Sequence, residues 1–158
     1  MSYNSRRIIT TIIAGVILFI AYIVYATRKY AEGMVDLKSW AITILIFIGI
    51  SVAVMIVIQI LFHIIYAMGI AIKEQDQDDK QVERIIESSM VEDERDKIIK
   101  LKSERGGYIC AGIGFLVALA LFASGQSAIL GLNVLLIAFF CGSLVEGILS
   151  IRFYERGV

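Results

Sequence analysis

A chain of 158 residues with 58% hydrophobic content and a mean hydropathy of +0.80 is too apolar for a water-soluble domain and too short for two separately folded ones. Fifteen basic residues balance fifteen acidic ones, so no global field recruits nucleic acid or an anionic surface. Cys110 and Cys141 both fall in apolar stretches, where a free thiol behaves as a small hydrophobe, and no disulfide is read from them.

Four apolar stretches organise the chain: Ile8–Thr27, Trp40–Ile72, Gly107–Ala123 and Ala128–Ile151. About 20 apolar residues span a hydrocarbon core of about 30 Å as a helix, which satisfies its own backbone in lipid. The expected fold class is therefore all-α: one integral membrane four-helix bundle over residues 1–158, with a charged cytoplasmic helical hairpin over residues 73–106 between helices 2 and 3.

The first stretch follows Ser5-Arg6-Arg7 and ends in Tyr25-Ala26-Thr27-Arg28-Lys29. It exceeds a signal-peptide core in length and has no small-residue cleavage site, so it reads as a membrane helix. Two Lys or Arg precede it, three lie in the first loop, eight in the central block, none between helices three and four, and two after helix four. The positive-inside rule then places both termini and the central block in the cytoplasm of a cell membrane protein. Arg28-Lys29, on the proposed outer side, runs against that trend. Trp40, Tyr22, Tyr25 and Tyr30 are expected at the outer headgroup level, and Tyr3, Tyr66, Tyr108 and Tyr154 at the inner one.

The second stretch is 33 residues, about 50 Å as a straight helix, more than tilt conceals. It is expected to continue past the inner interface toward Lys73, with Tyr66–Ile72 packed against cytoplasmic protein. In the block that follows, Val82, Ile85, Ile86 and Met90 recur at three- and four-residue steps and mark one apolar helix face. A further helix is expected to start near Asp93. Asp93, Glu94 and Asp96 suit its positive end, Lys97 and Lys100 lie at pairing distance from Asp93 and Asp96, and no Pro intervenes before Gly107. Helix three is thus expected to begin before the membrane, with Lys97, Lys100, Lys102 and Arg105 beside anionic lipid. Two readings of the block stand open: a solvated hairpin packing on itself, or a docking surface for a cytosolic protein or second copy, anchored by Val82, Ile85, Ile86 and Met90.

Asp93-Glu94-Arg95-x-x-x-Ile99-x-x-Lys102, running into a Gly-rich apolar helix, resembles the signature of an uncharacterised prokaryotic family of small membrane proteins, a domain of unknown function. Several of its genes lie beside helix-turn-helix regulators. The likeness covers about 30 residues and departs from the family pattern at Ser103, where a small apolar residue usually follows the Lys. It implies a four-helix membrane architecture and no catalysis.

Helices three and four are joined by Ser124-Gly125-Gln126-Ser127 alone, which makes them an antiparallel hairpin. Small residues four apart, Gly49/Ala53, Cys110/Gly114/Ala118, Ala138/Gly142 and Ser143/Gly147, permit close approach of helix backbones. Ionisable groups at membrane depth suggest function, and two fall there, His63 and Glu146. Counted along their helices, both come near the inner interface, roughly 35 Å and 27 Å from the outer face. Gln59 lies one turn before His63, and Tyr66 is near it. Gln59, His63, Tyr66 and Glu146 then form a candidate polar cluster, read either as a proton-linked or ligand-binding pocket or as interfacial residues bonding headgroups, Arg152 and backbone.

No positioned nucleophile and base, carboxylate set, phosphate loop or metal-ligand spacing is present, so neither an enzyme nor a cofactor is expected. Helices without Pro and with few polar residues near the midplane make a lone channel or transporter a poor fit. The expected role is a non-enzymatic membrane protein whose cytoplasmic segment binds a protein partner or a second copy. A small oligomeric transporter or immunity-type protein using the polar cluster is the alternative.

Overall fold

In the computed structural model, which describes residues 3–33, 36–73 and 94–156, the chain forms helices α1 (Tyr3–Ala31), α2 (Leu37–Lys73), α3 (Glu94–Ala123) and α4 (Ala128–Arg156). Each is long and apolar enough to cross a membrane. Their apolar side chains face outward all round, with Ile17, Leu45, Ile65, Leu116 and Phe139 each more than 60% exposed. Such a surface is stable only in lipid. The chain is a multi-pass membrane protein.

Every helix overruns the apolar stretch that announces it. α1 takes in Tyr3 to Arg7 and Arg28 to Ala31, and α4 continues through Arg156. Hydropathy marks where lipid contact stops, whereas a helix stops where its backbone finds a cap. Asp36 supplies the cap of α2, its Oδ2 accepting the Ser39 N–H at 2.9 Å, and Ser127 Oγ accepts the Leu130 N–H at 3.2 Å ahead of α4. α3 ends in a Schellman turn: Gln126 N–H donates to Leu121 O at 3.0 Å, Gly125 N–H donates to Phe122 O at 3.1 Å, and Gly125 sits at φ 76°.

The α3–α4 hairpin expected from the four-residue connection forms the most extensive interface. It is built on absent side chains. Gly107 lies on the backbone of Gly142, and a Cβ on Gly142 would come within 2.8 Å of Gly107 O. Gly114 abuts Ala138, and Gly131 abuts the Phe122 ring. Ile99, Ser103, Gly107, Gly114 and Ala118 form the buried stripe of α3. The Ser103 hydroxyl, wholly buried, donates to Ile99 O at 2.8 Å, so the polar residue is satisfied within its own helix. Gly49 and Ala53 behave differently. They are exposed on α2, and nothing lies within 4 Å of a Cβ at Gly49.

α1 packs against α2 and α4. Phe19 stacks on Phe140, ring centroids 3.9 Å apart and nearly parallel. The α1–α2 and α3–α4 turns lie at one end of the bundle, the turn end, where Tyr22, Trp40 and Ile44 cluster with Ile129 and Leu132. The first turns of α1 and α3 meet at the opposite, terminal end.

Candidate functional site

Two polar assemblies stand at the two ends of the bundle. At the turn end, Lys29 is buried and its ammonium donates to Ser39 O (3.0 Å), Ser39 Oγ (2.8 Å) and Thr43 Oγ1 (2.6 Å), while lying 5.6 Å from the centre of the Trp40 ring. All three N–H donors of the group are thereby used, and the ring face adds a cation–π contact. Tyr22 donates to Asn133 Oδ1 at 2.6 Å, and Asn133 Nδ2 donates to Ile129 O at 2.7 Å. The buried Trp40 indole N–H faces the Tyr22 hydroxyl without making a hydrogen bond of good geometry.

Of the four rings expected at the outer headgroup level, two face outward and two turn inward. Tyr25 and Tyr30 are exposed, as headgroup-level rings are, but Trp40 and Tyr22 are 3% and 4% exposed and turn into the bundle. The short α1–α2 connection brings Lys29 against the first turn of α2, and the ring that covers the cation is drawn inward with it. Saturated by its own chain, this assembly reads as a structural knot.

The terminal end is different, because its polar groups surround space. A cavity of about 140 Å³ is lined by Asn4 and Arg7 from α1, Asp96 and Lys100 from α3, and Glu146, Ser150 and Tyr154 from α4. Asn4 Nδ2 donates to Asp96 Oδ2 at 3.0 Å, which fixes the first turn of α3 to the first turn of α1. Glu146 packs against α3 at a glycine: a Cβ at Gly107 would lie 3.0 Å from Gly142 O and 3.3 Å from Glu146 Cβ, so the bare backbone permits this close approach. Lys100 and Glu104 are its charged neighbours on α3. Among the described residues no ion pair joins Glu146 to Arg7 or Lys100.

A second cavity, about 260 Å³, has Arg7, Ile8, Glu146 and Ser150 in common with the lining of the first, and adds Gln59 and Met55 of α2. Gln59 and Glu146 of the candidate cluster are therefore brought to one cavity. His63 and Tyr66 lie one and two turns further along α2 and do not line it; both are half-buried, and Tyr66 stacks on Phe62 with centroids 6.3 Å apart. Cys110 and Cys141 are half-buried free thiols. Among the described residues no group of three His, Cys, Asp or Glu is placed to hold a metal ion.

The helix expected near Asp93 starts at Glu94 and runs without interruption into the membrane helix. Lys97 meets Glu94 at 3.6 Å on the open surface, a contact of little energetic weight. Asp93 and the stripe Val82, Ile85, Ile86 and Met90 lie outside the described residues. Sequence reading passed over Asn4, Arg7, Asp96, Lys100, Ser150 and Tyr154 as a set. Their signal is positional: in an up-and-down bundle, polar residues at the start of α1, the start of α3 and the end of α4 share one end.

No family model matches the chain, and no characterised protein or solved structure matches it. The likeness carried by Asp93, Glu94, Arg95, Ile99 and Lys102 therefore assigns no family.

Proposed function

We propose that the protein is a non-enzymatic membrane protein with both termini and residues 73–106 in the cytoplasm, whose cytoplasmic helical segment binds a protein partner or a second copy in a regulatory or accessory role. The observation that carries this reading is the continuity of α3. From Glu94 to Ala123 one unbroken helix joins the charged segment to the bundle, and the Asn4–Asp96 bond clamps its first turn to α1. Residues 94–106 thus share one rigid helix with the bundle. The likeness to a family of small membrane proteins falls on the same first turns, with Ile99 buried at their centre.

The excess of Lys and Arg at the terminal end supports the orientation. The basic pair Arg28-Lys29 lies at the other end, where three oxygen acceptors of the chain itself solvate the Lys29 ammonium. Affinity purification in mild detergent, beside a variant carrying Ile85→Asp and Ile86→Asp, tests the docking role. A protein that co-purifies with the native chain and is lost from the variant is the expected result; identical pull-downs refute it.

The second reading, a small oligomeric transporter or immunity-type protein, is favoured by one observation, the shared cavity of Gln59 and Glu146. Flux across vesicles that falls in Glu146→Gln while partner binding is retained would select it.

A further inference from the structure

Cys110 and Cys141 stand at the same height on the α3–α4 hairpin. Cys110 comes fourteen residues before Ser124, just past the end of α3, and Cys141 comes fourteen residues after Ser127, just before α4. At about 1.5 Å per residue both thiols lie about 21 Å from the turn, near the middle of a bilayer about 40–45 Å thick with its headgroups. Equal height does not bring two residues together unless they also share a face.

The glycine contacts supply the face. One turn toward the terminal end, a Cβ at Gly106 would lie 3.5 Å from Val145 Cγ1, and one turn toward the turn end Gly114 abuts Ala138. Steps of three and four residues stay on one face of a helix, so Cys110 falls between Gly106 and Gly114 on α3, and Cys141 between Val145 and Ala138 on α4. The pair is bracketed by direct contacts on one flank of the interface. Beside it the backbones touch: a Cβ at Gly142 would come within 2.8 Å of Gly107 O and 3.7 Å of Ala111 N. Helix axes this close are about 8 Å apart, and Cα atoms on the flank of such a contact about 6 Å, inside the roughly 4.4–6.8 Å that a disulfide spans. Both residues are half-buried free thiols. α1 meets α4 elsewhere, at Phe140 and Gly147, and Val145 on the cysteine flank is 36% exposed, so this flank faces lipid.

We propose that Cys110 and Cys141 are a redox pair that closes to a disulfide across the hairpin, with a lipid-dissolved quinone as the oxidant. Two S–H bonds break and one S–S bond forms. The two electrons and two protons pass to the quinone, whose carbonyl oxygens become the hydroxyls of a hydroquinone. Depth selects the class of oxidant. Glutathione and thioredoxin, which keep cytosolic thiols reduced, are water-soluble and do not reach the bilayer centre, whereas quinones dissolve there. The closed bridge ties α3 to α4 covalently, and with it the helix that continues to Glu94. The proposal is independent of the partner-binding reading, and because both thiols lie near mid-depth it holds for either orientation of the chain.

Full-length protein, reduced and reconstituted in lipid nanodiscs, tests it in two steps. Dibromobimane, which fluoresces on bridging two neighbouring thiols, should label the native chain and neither Cys110→Ser nor Cys141→Ser. A fully ring-substituted decyl quinone should then remove two hydrogen atoms from the intact mass of the native chain and abolish its reaction with maleimide after denaturation. Glutathione disulfide at equal concentration should act at least about tenfold more slowly, since a charged tripeptide is excluded from the bilayer centre. Cys141→Ser combined with Phe139→Cys, which moves the thiol to an exposed face of α4, should stay reduced. Variants are scored only with native circular dichroism and elution, and the native chain by itself decides the bimane and quinone steps. Absence of bimane bridging, a disulfide between two chains, a quinone adduct in place of hydrogen loss, or equally fast oxidation by glutathione disulfide overturns the proposal. So does a disulfide in the relocated variant, which would mean that the flank imposes no selection.

Discussion

Tyr22 of α1 donates a 2.6 Å hydrogen bond to Asn133 of α4 across 111 residues of sequence, and the two helices are joined there by polar atoms within an apolar bundle. Both partners are used fully enough to define one register: the Asn133 amide also donates to Ile129 O in its own helix. In lipid a side-chain bond between helices contributes only about 1 kcal/mol, because the separated helices find other hydrogen-bond partners.

Tyr22→Phe should therefore lower resistance to unfolding by about 1 kcal/mol, more if Asn133 Oδ1 is left without a donor. Asn133→Ala alone should cost a similar amount, and the double variant little beyond either single one. Denaturation in mixed micelles, followed by circular dichroism, measures the cycle, and strict additivity would refute a direct bond.

Lys29→Met removes three donors and leaves Ser39 and Thr43 oxygens facing a buried apolar chain. A loss of about 2–3 kcal/mol is expected. Lys29→Arg should not restore it, since a planar guanidinium does not fit three acceptors converging on one nitrogen. Proteolysis at the α1–α2 turn, faster in both variants than in the native protein, is the readout.

The glycines separate into two sets. Gly114→Leu must displace Ala138 and should destabilise the α3–α4 hairpin by about 1–3 kcal/mol or prevent its formation. Gly112→Leu, two residues away and facing open space, should be tolerated in the same unfolding assay. Equal effects at the two positions would contradict the packing of α3 on α4.

Orientation is read by single cysteines in a background with Cys110 and Cys141 replaced by alanine. Gln126→Cys should react with an impermeant maleimide on intact cells, and Glu155→Cys only after permeabilisation. The opposite pattern would invert the proposed topology.

The sequence by itself determined the number of membrane helices, the hairpin of α3 and α4, the continuity of α3 from its charged start, and the concentration of Lys and Arg at one end. These follow from hydropathy, connection length and the absence of Pro, which act locally along the chain. It did not determine which small residues pack inward: Gly49/Ala53 and Gly107/Gly142 look alike in one dimension, and only the meeting of α3 with α4 separates them. Nor did it place Trp40 and Tyr22 inside, because an interfacial aromatic and a buried one have the same position in sequence and differ in rotation about the helix axis. Gln59 and Glu146 reached one cavity while His63 and Tyr66 did not, since α2 lines that cavity only as far as Gln59. Tertiary structure alone gathered Arg7, Lys100 and Glu146 from three helices around one space, a convergence that depends on how helices lie against one another and leaves no mark of spacing in the chain.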